Sequence, residues 1–285
     1  AAGAWASGGN LNNTRSAFQG CGTVTAGLVA AGNAAPPDPR AGETEEYDGS
    51  SWTESGDTNT QAENRGVCGI QTAALAVAGH STDYSVVVEQ YDGSSWTEIA
   101  DLNTARSSIG AAGTVTAAVS AGGQGPPSNA VKALTESFNG TSWTEVGDLN
   151  NGRSYWIMGG ASTAALGCGG YNTNQKDFVE SWDGSSWTEV ADLNTARGRN
   201  SMSGNAPSSS ALVFSGGDSS TDFGNTEEWD NSSWTEVADI PAGRHFGAGG
   251  GVATSAFITG GTEDSTKVNT TFEWALPQNV EIITD

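Results

Sequence analysis

Six tryptophans, Trp5, Trp52, Trp96, Trp143, Trp187 and Trp234, recur at intervals of 47, 44, 47, 44 and 47 residues. A period of this length over 285 residues admits few architectures other than a stacked or circular array of one supersecondary unit. Five residues before each of the last five stands another aromatic, namely Tyr47, Tyr91, Phe138, Trp182 and Trp229. A turn such as Asp48-Gly49-Ser50-Ser51 joins the two, which predicts a hairpin.

Other residues keep the same register. The Gly of a small-Gly pair falls 27 positions after the Trp at Gly32, Gly79, Gly123, Gly170 and Gly261, and 30 after it at Gly217. Short apolar runs such as Ala74-Leu75-Ala76-Val77 precede these pairs and predict buried strands. Ten residues after the Trp comes Arg15, Arg106, Arg153, Arg197 or Arg244; the remaining copy has Ala62 there and Arg65 three places on. These six are more than half of the 11 Lys and Arg, so they serve the repeat. Glu45, Glu89, Glu136, Glu180 and Glu227, two before the aromatic, supply matching charge, and a guanidinium bridging carboxylate and carbonyls is expected to pin the outer strand of one blade to the next.

An apolar run ending in Gly-Gly, a Glu-x-aromatic strand, a spaced Trp and a following Arg together resemble the kelch repeat over essentially the whole chain. The recurring Asp-Gly-Ser-Ser-Trp-Thr-Glu wording also resembles kelch-like proteins of marine phages and bacteria. The resemblance implies an all-β, six-bladed kelch-like β-propeller with four antiparallel strands per blade, called a to d from the axis outward. Ala31-Gly32 and Ala78-Gly79 depart from Gly-Gly, and Phe272 stands where Glu is expected. One domain over 1–285 is expected, with blades near 14–56, 61–100, 105–147, 152–191, 196–238, and 243–275 completed by 1–9. Trp5 opens the chain as a strand d without a, b and c, whereas 244–274 supplies a, b and c without d, so the ends are expected to close one blade.

The balance of 11 basic against 33 acidic residues, a net charge of −22, disfavours nucleic acid and anionic membrane surfaces. No stretch reaches the roughly 18 apolar residues of a membrane span, so no membrane insertion is expected. Cys21, Cys68 and Cys168 lack zinc-site or disulfide-scaffold spacing and read as small core residues. No Asp-x-Asp-x-Asp-Gly loop occurs, and the Asp of the recurrent turn lies one residue too close to its Trp to match the Asp-box of sialidases; no metal or cofactor is expected.

His80 and His245 are the two histidines, and neither has a partnered nucleophile in sequence, so no enzyme is expected. Divergent b to c loops carry the candidate ligand-binding residues His80, Tyr84, Tyr171, Lys176 and Phe223, gathered on one face by strand direction. The expectation is a binding or structural module, on a virion surface or tail or as an extracellular adhesin, presenting its loops to a protein or glycan. The alternatives are a glycan-active enzyme on a propeller scaffold and an intracellular kelch-type adaptor.

Overall fold

The computed structural model describes residues 3–34, 40–218 and 220–277. Six four-stranded antiparallel sheets stand around one axis. The first blade runs Gln19–Thr23, Ala26–Ala30, Thr44–Tyr47 and Trp52–Ser55. The second runs Gly66–Ile70, Ala73–Val77, Val88–Tyr91 and Trp96–Glu98. The third holds Gly110–Thr114, Ala117–Ala121, Thr135–Phe138 and Trp143–Glu145. The fourth holds Ile157–Ala161, Ala164–Cys168, Val179–Trp182 and Trp187–Glu189. The fifth comprises Ser201–Met202, Ala211–Phe214, Thr226–Trp229 and Trp234–Val237.

The sixth blade takes Ala248–Val252, Ser255–Thr259 and Thr271–Ala275 from the end of the chain and Ala4–Ser7 from its start. Trp5 lies opposite Trp274 in that ladder, and their rings are 5.6 Å apart. The expected closure is therefore present, and the ring has no unpaired blade edge left by an incomplete repeat.

Distance from the axis explains composition. Inner strands crowd together, so small residues dominate them; a Cβ on Gly159 would stand 2.8 Å from Gly204 Cα. Second strands, Ala73–Val77 for example, are buried on both faces between neighbouring blades and read as unbroken apolar runs. Outer strands of the first five blades keep only the Trp buried, as in Trp96–Glu98. Each outer Trp packs on the aromatic of the adjacent strand, with centroids 4.8 Å apart for Tyr47 and Trp52 and 5.3 Å for Trp182 and Trp187.

The indoles also tie blade to blade. Nε1 of Trp52 donates to Thr271 Oγ1, that of Trp96 to Thr44 and that of Trp187 to Thr135, each in the preceding blade, at 2.9–3.1 Å. Where Val88 and Val179 replace that Thr, the bond is lost or redirected. Trp143 Nε1 is buried without a partner among the described residues, and Trp234 turns to the carbonyl of Ala191.

The repeat arginines are buried, and their contacts correct one expectation. Arg106 donates to the carbonyls of Gly122 and Leu134 and to Glu136 Oε1, all within the blade it enters. It does not reach the outer strand of its neighbour. That connection is made by an unforeseen Asn seven residues after five of the six Trp. Asn103, arriving from the second blade, gives its backbone N–H and its Nδ2 to Glu136 Oε2, and Nδ2 also to the carbonyl of Trp143. Asn12, Asn59, Asn150 and Asn194 do the same for Glu45, Glu89, Glu180 and Glu227. In the sixth blade Pro241 replaces the Asn and Phe272 the Glu, so Arg244 pairs with Glu263 and lies 4.8 Å over the Phe272 ring. Arg65 reaches Glu89 at 2.8 Å from its displaced backbone position.

Candidate functional site

The chain entering each inner strand turns sharply at the axis. Twelve residues after each Trp, at Ala17, Asn64, Ser108, Tyr155, Arg199 and Phe246, the backbone is left-handed, with φ between 52° and 59°. Left-handed backbone is costly for bulky residues and is held here by hydrogen bonds. Each of the six donates its N–H to the carbonyl of the equivalent residue in the preceding blade: Ala17 to Phe246, Asn64 to Ala17, Ser108 to Asn64, Tyr155 to Ser108, Arg199 to Tyr155 and Phe246 to Arg199, at 2.6–3.1 Å. The six bonds form a closed ring around the axis.

A second set surrounds it. Gly79 N–H donates to the Arg106 carbonyl, Gly123 to Arg153, Gly170 to Arg197, Gly216 to Arg244 and Gly261 to Arg15, at 2.8–3.0 Å, and Gly32 donates to Ala62. Gly216, with φ of 96°, and not Gly217, therefore closes the small-Gly pair of the fifth repeat; its partner is Ser215. Gly217 sits one place further and bridges Gly198.

On this uniform backbone the side chains differ. Arg199 lies 5.6 Å from the Tyr155 ring and 5.0 Å from the Phe246 ring, and those rings meet edge to face at 5.6 Å. The Tyr155 hydroxyl accepts from Gln124 Nε2 at 3.1 Å. These three residues help line an axial cavity of about 30 Å³ together with Ser108, Trp156 and Asn200.

The loop candidates stand around this mouth in three loops. His80 and Tyr84 meet at 5.4 Å, Arg40 lies 3.2 Å from His80 Nδ1, and the Tyr84 hydroxyl donates to Asn129 of the next blade at 2.6 Å. Tyr171 is 37% exposed and pairs with Ser154. Lys176, in the same loop, bonds Asn174 and lies 5.5 Å over Phe178. Phe223, half-buried, is anchored through its backbone to Gly216 and Arg244. The structure thus joins His80 to Tyr84 and places Tyr171, Lys176 and Phe223 in other loops. Sequence reasoning did not single out Tyr155, Arg199 or Phe246; the available signal was a column of unlike residues at a fixed offset from the Trp.

His245 contacts Asp222, whose second oxygen accepts from the Asp264 N–H at 2.9 Å. Among the described residues neither histidine hydrogen-bonds a Ser, Thr or Cys side chain, and no group of three His, Cys, Asp or Glu is placed to share a metal ion. The three cysteines are buried and free, and burial pushes the Cys68 thiol up to about 12.

The opposite mouth is closed by the chain itself. The fifth blade has a short inner strand followed by an irregular segment crossing the axis. Asn205 there donates its N–H to the Gly251 carbonyl and Nδ2 to the Gly69 carbonyl, and its Oδ1 accepts from the Gly22 N–H, while Gly204 O accepts from Gly160 N–H. Four other blades are touched by two residues. Around this plug lies an apolar hollow edged by Ile70, 53% exposed, Val115 and Pro207.

No protein-family model matches the chain, and no curated protein matches it either. Its architecture is that of a six-bladed β-propeller, consistent with a kelch-type repeat fold.

Proposed function

We propose that the chain is a non-enzymatic recognition or structural module whose binding face is the mouth formed by the inner ring and the b to c loops. A β-propeller scaffold fits such a role, and one observation carries the choice of face. Six equivalent, strained backbone positions bear six different side chains, three of them large, converging on the axis. Side chains needed only for packing would repeat with the blades, as Trp and Arg do; unlike side chains on a repeated frame are what a single asymmetric ligand requires. The partner is a protein or a glycan, and the setting is a virion surface, a tail, or an extracellular adhesin.

The face is tested by presenting the purified chain to arrays of glycans and surface proteins. Tyr155→Ala and Phe246→Ala should lose at least tenfold in retention. Ala17 already holds this backbone conformation, so Ala is accommodated there. Ser50→Ala and Ser94→Ala, in the c to d turns of the opposite face, should bind as the parent does. Loss confined to the turn variants places the face on the wrong side, and turnover of an arrayed glycan refutes the non-enzymatic reading.

A further inference from the structure

Each of the six repeat arginines meets a carboxylate. Arg199 meets none among the described residues; its guanidinium lies 5.6 Å from the centre of the Tyr155 ring and 5.0 Å from that of Phe246. A guanidinium packed against aromatic rings keeps its charge and its fork of N–H donors, which matches a carboxylate.

The cavity beside it carries a second, independent observation. Ser108 Oγ, Asn200 Oδ1 and Trp156 Nε1 belong to residues that line it, all are buried, and none has a hydrogen-bond partner among the described residues. Ser108 and Asn200 are more than nine-tenths buried. One atom that donates and accepts, one acceptor and one donor match what a hydroxyl or a water molecule can satisfy. About 30 Å³ admits such a group and excludes a sugar ring. A ring would stay outside, against the Tyr155 or Phe246 side chain.

Surrounding charge narrows the ligand further. Arg199 also borders an outer groove holding Asp218, Asp222, Glu263 and Asp264. Asp222 is engaged by His245, Glu263 by Arg244, and Asp218 by the amides of Ser220 and Thr221. A polyanion would meet this groove and the net charge of −22. A single carboxylate on an otherwise neutral glycan meets the same field with one unit of charge, so its repulsion is the smallest an anion can have.

We infer that the axial mouth binds a single pyranose bearing a carboxylate. The carboxylate pairs with Arg199, one apolar ring face lies on Tyr155 or Phe246, and one hydroxyl enters the cavity. This rests on the reading of the mouth as the recognition face.

The test is a titration, by calorimetry and saturation-transfer NMR, with the methyl glycosides of glucuronic, galacturonic and sialic acid. Methyl glucoside serves as the neutral sugar and N-acetyl-aspartate amide as the carboxylate without a sugar. At least one acidic glycoside should bind with Kd on the order of 1 mM. Both controls should be at least tenfold weaker, and Arg199→Gln should lose tenfold or more with an unchanged melting temperature. Equal binding of the neutral sugar, equal binding of the aspartate derivative, an unaffected Arg199→Gln variant or no binding by any acidic glycoside overturns the inference. If a neutral glycan is retained on the array and lost in Tyr155→Ala, the recognition face stands and only the acidic specificity falls. Indifference of all array binding to Tyr155→Ala and Phe246→Ala removes both.

Discussion

Replacing Arg106 by Ala should be among the most damaging single changes in the molecule. The guanidinium and Glu136 are both essentially withdrawn from solvent and lie 2.9 Å apart. Without Arg106, Glu136 Oε1 loses its charged donor while Oε2 keeps the two bonds from Asn103, and the carbonyls of Gly122 and Leu134 each lose a donor. A buried charge left without its partner costs about 3–5 kcal/mol. Glu136→Ala strands the guanidinium and should cost a similar amount, whereas the double variant removes both charges and should cost less than the sum by about 2–3 kcal/mol. The sixth blade offers an internal comparison, because Glu263 is 25% exposed and water can reach it when its partner is lost. Arg244→Ala should therefore cost roughly half as much as Arg106→Ala. Urea denaturation of the parent and the four variants supplies the measurement. A loss below about 0.5 kcal/mol for Arg106→Ala, the scale of an exposed site, or strict additivity in the cycle, would refute the role assigned to this pair.

Removing residues 1–9 takes away the outer strand of the sixth blade and exposes the edge at Thr271–Ala275; a broadened melting transition and concentration-dependent aggregation are expected, and an unchanged thermal profile would count against closure. Asn205→Ala leaves the Gly22 N–H and the Gly69 carbonyl without their partners at the plugged mouth, for an expected loss of about 1–3 kcal/mol read by urea denaturation; no loss means the plug adds nothing to stability. Asp48 and Asp183 each accept bonds from two backbone N–H groups and two serine hydroxyls, which hold their pKa down to about 2 from an ordinary 3.8. Because the unfolded chain takes up these protons first, the stabilisation is complete above about pH 4 and is lost as the pH falls through about 2. Carboxyl NMR titration should place both midpoints well below those of ordinary aspartates, and midpoints near 4 would show that the turns do not hold them.

Features repeated in every blade were legible because each blade must solve the same packing problem. The Trp, its aromatic neighbour and the small-Gly pair stand at fixed offsets since strand length and sheet spacing are the same at every turn of the ring. The Asn is nearly as regular but carries no charge to mark it in the sequence; its absence as Pro241 coincides with the absence of Glu at Phe272, which reveals the pair as one device. The fifth repeat shows the limit of offset counting. Two extra residues between its first two strands move the small-Gly pair to 215 and 216, and a nearby Gly217 sustained the wrong register. That same insertion is the plug, so the irregularity marked a real structural difference whose position in space could not be read from one dimension. The axial side chains were harder still. Tyr155, Arg199 and Phe246 lie 44 and 47 residues apart, and nothing local says that a left-handed turn brings them to one point.

The ring at the axis separates backbone geometry from side-chain identity. A left-handed conformation costs a bulky residue on the order of 1 kcal/mol or more, and each ring hydrogen bond returns about as much. Backbone geometry is therefore held by its neighbours in the circle and not by the side chain each position carries. Ala17 and Phe246 occupy the same conformation within 2° of φ, although one is a methyl group and the other a large ring. Side chains at these six positions were accordingly left free to differ, in contrast to the Trp, Arg and Glu positions, where a buried partner in the same or the adjoining blade waits for a specific shape or charge. Substitution at these positions is therefore expected to leave the blades beneath undisturbed, which is what the proposed recognition role requires. Arg199, which meets no acid among the described residues, stands where such a change has a large chemical effect.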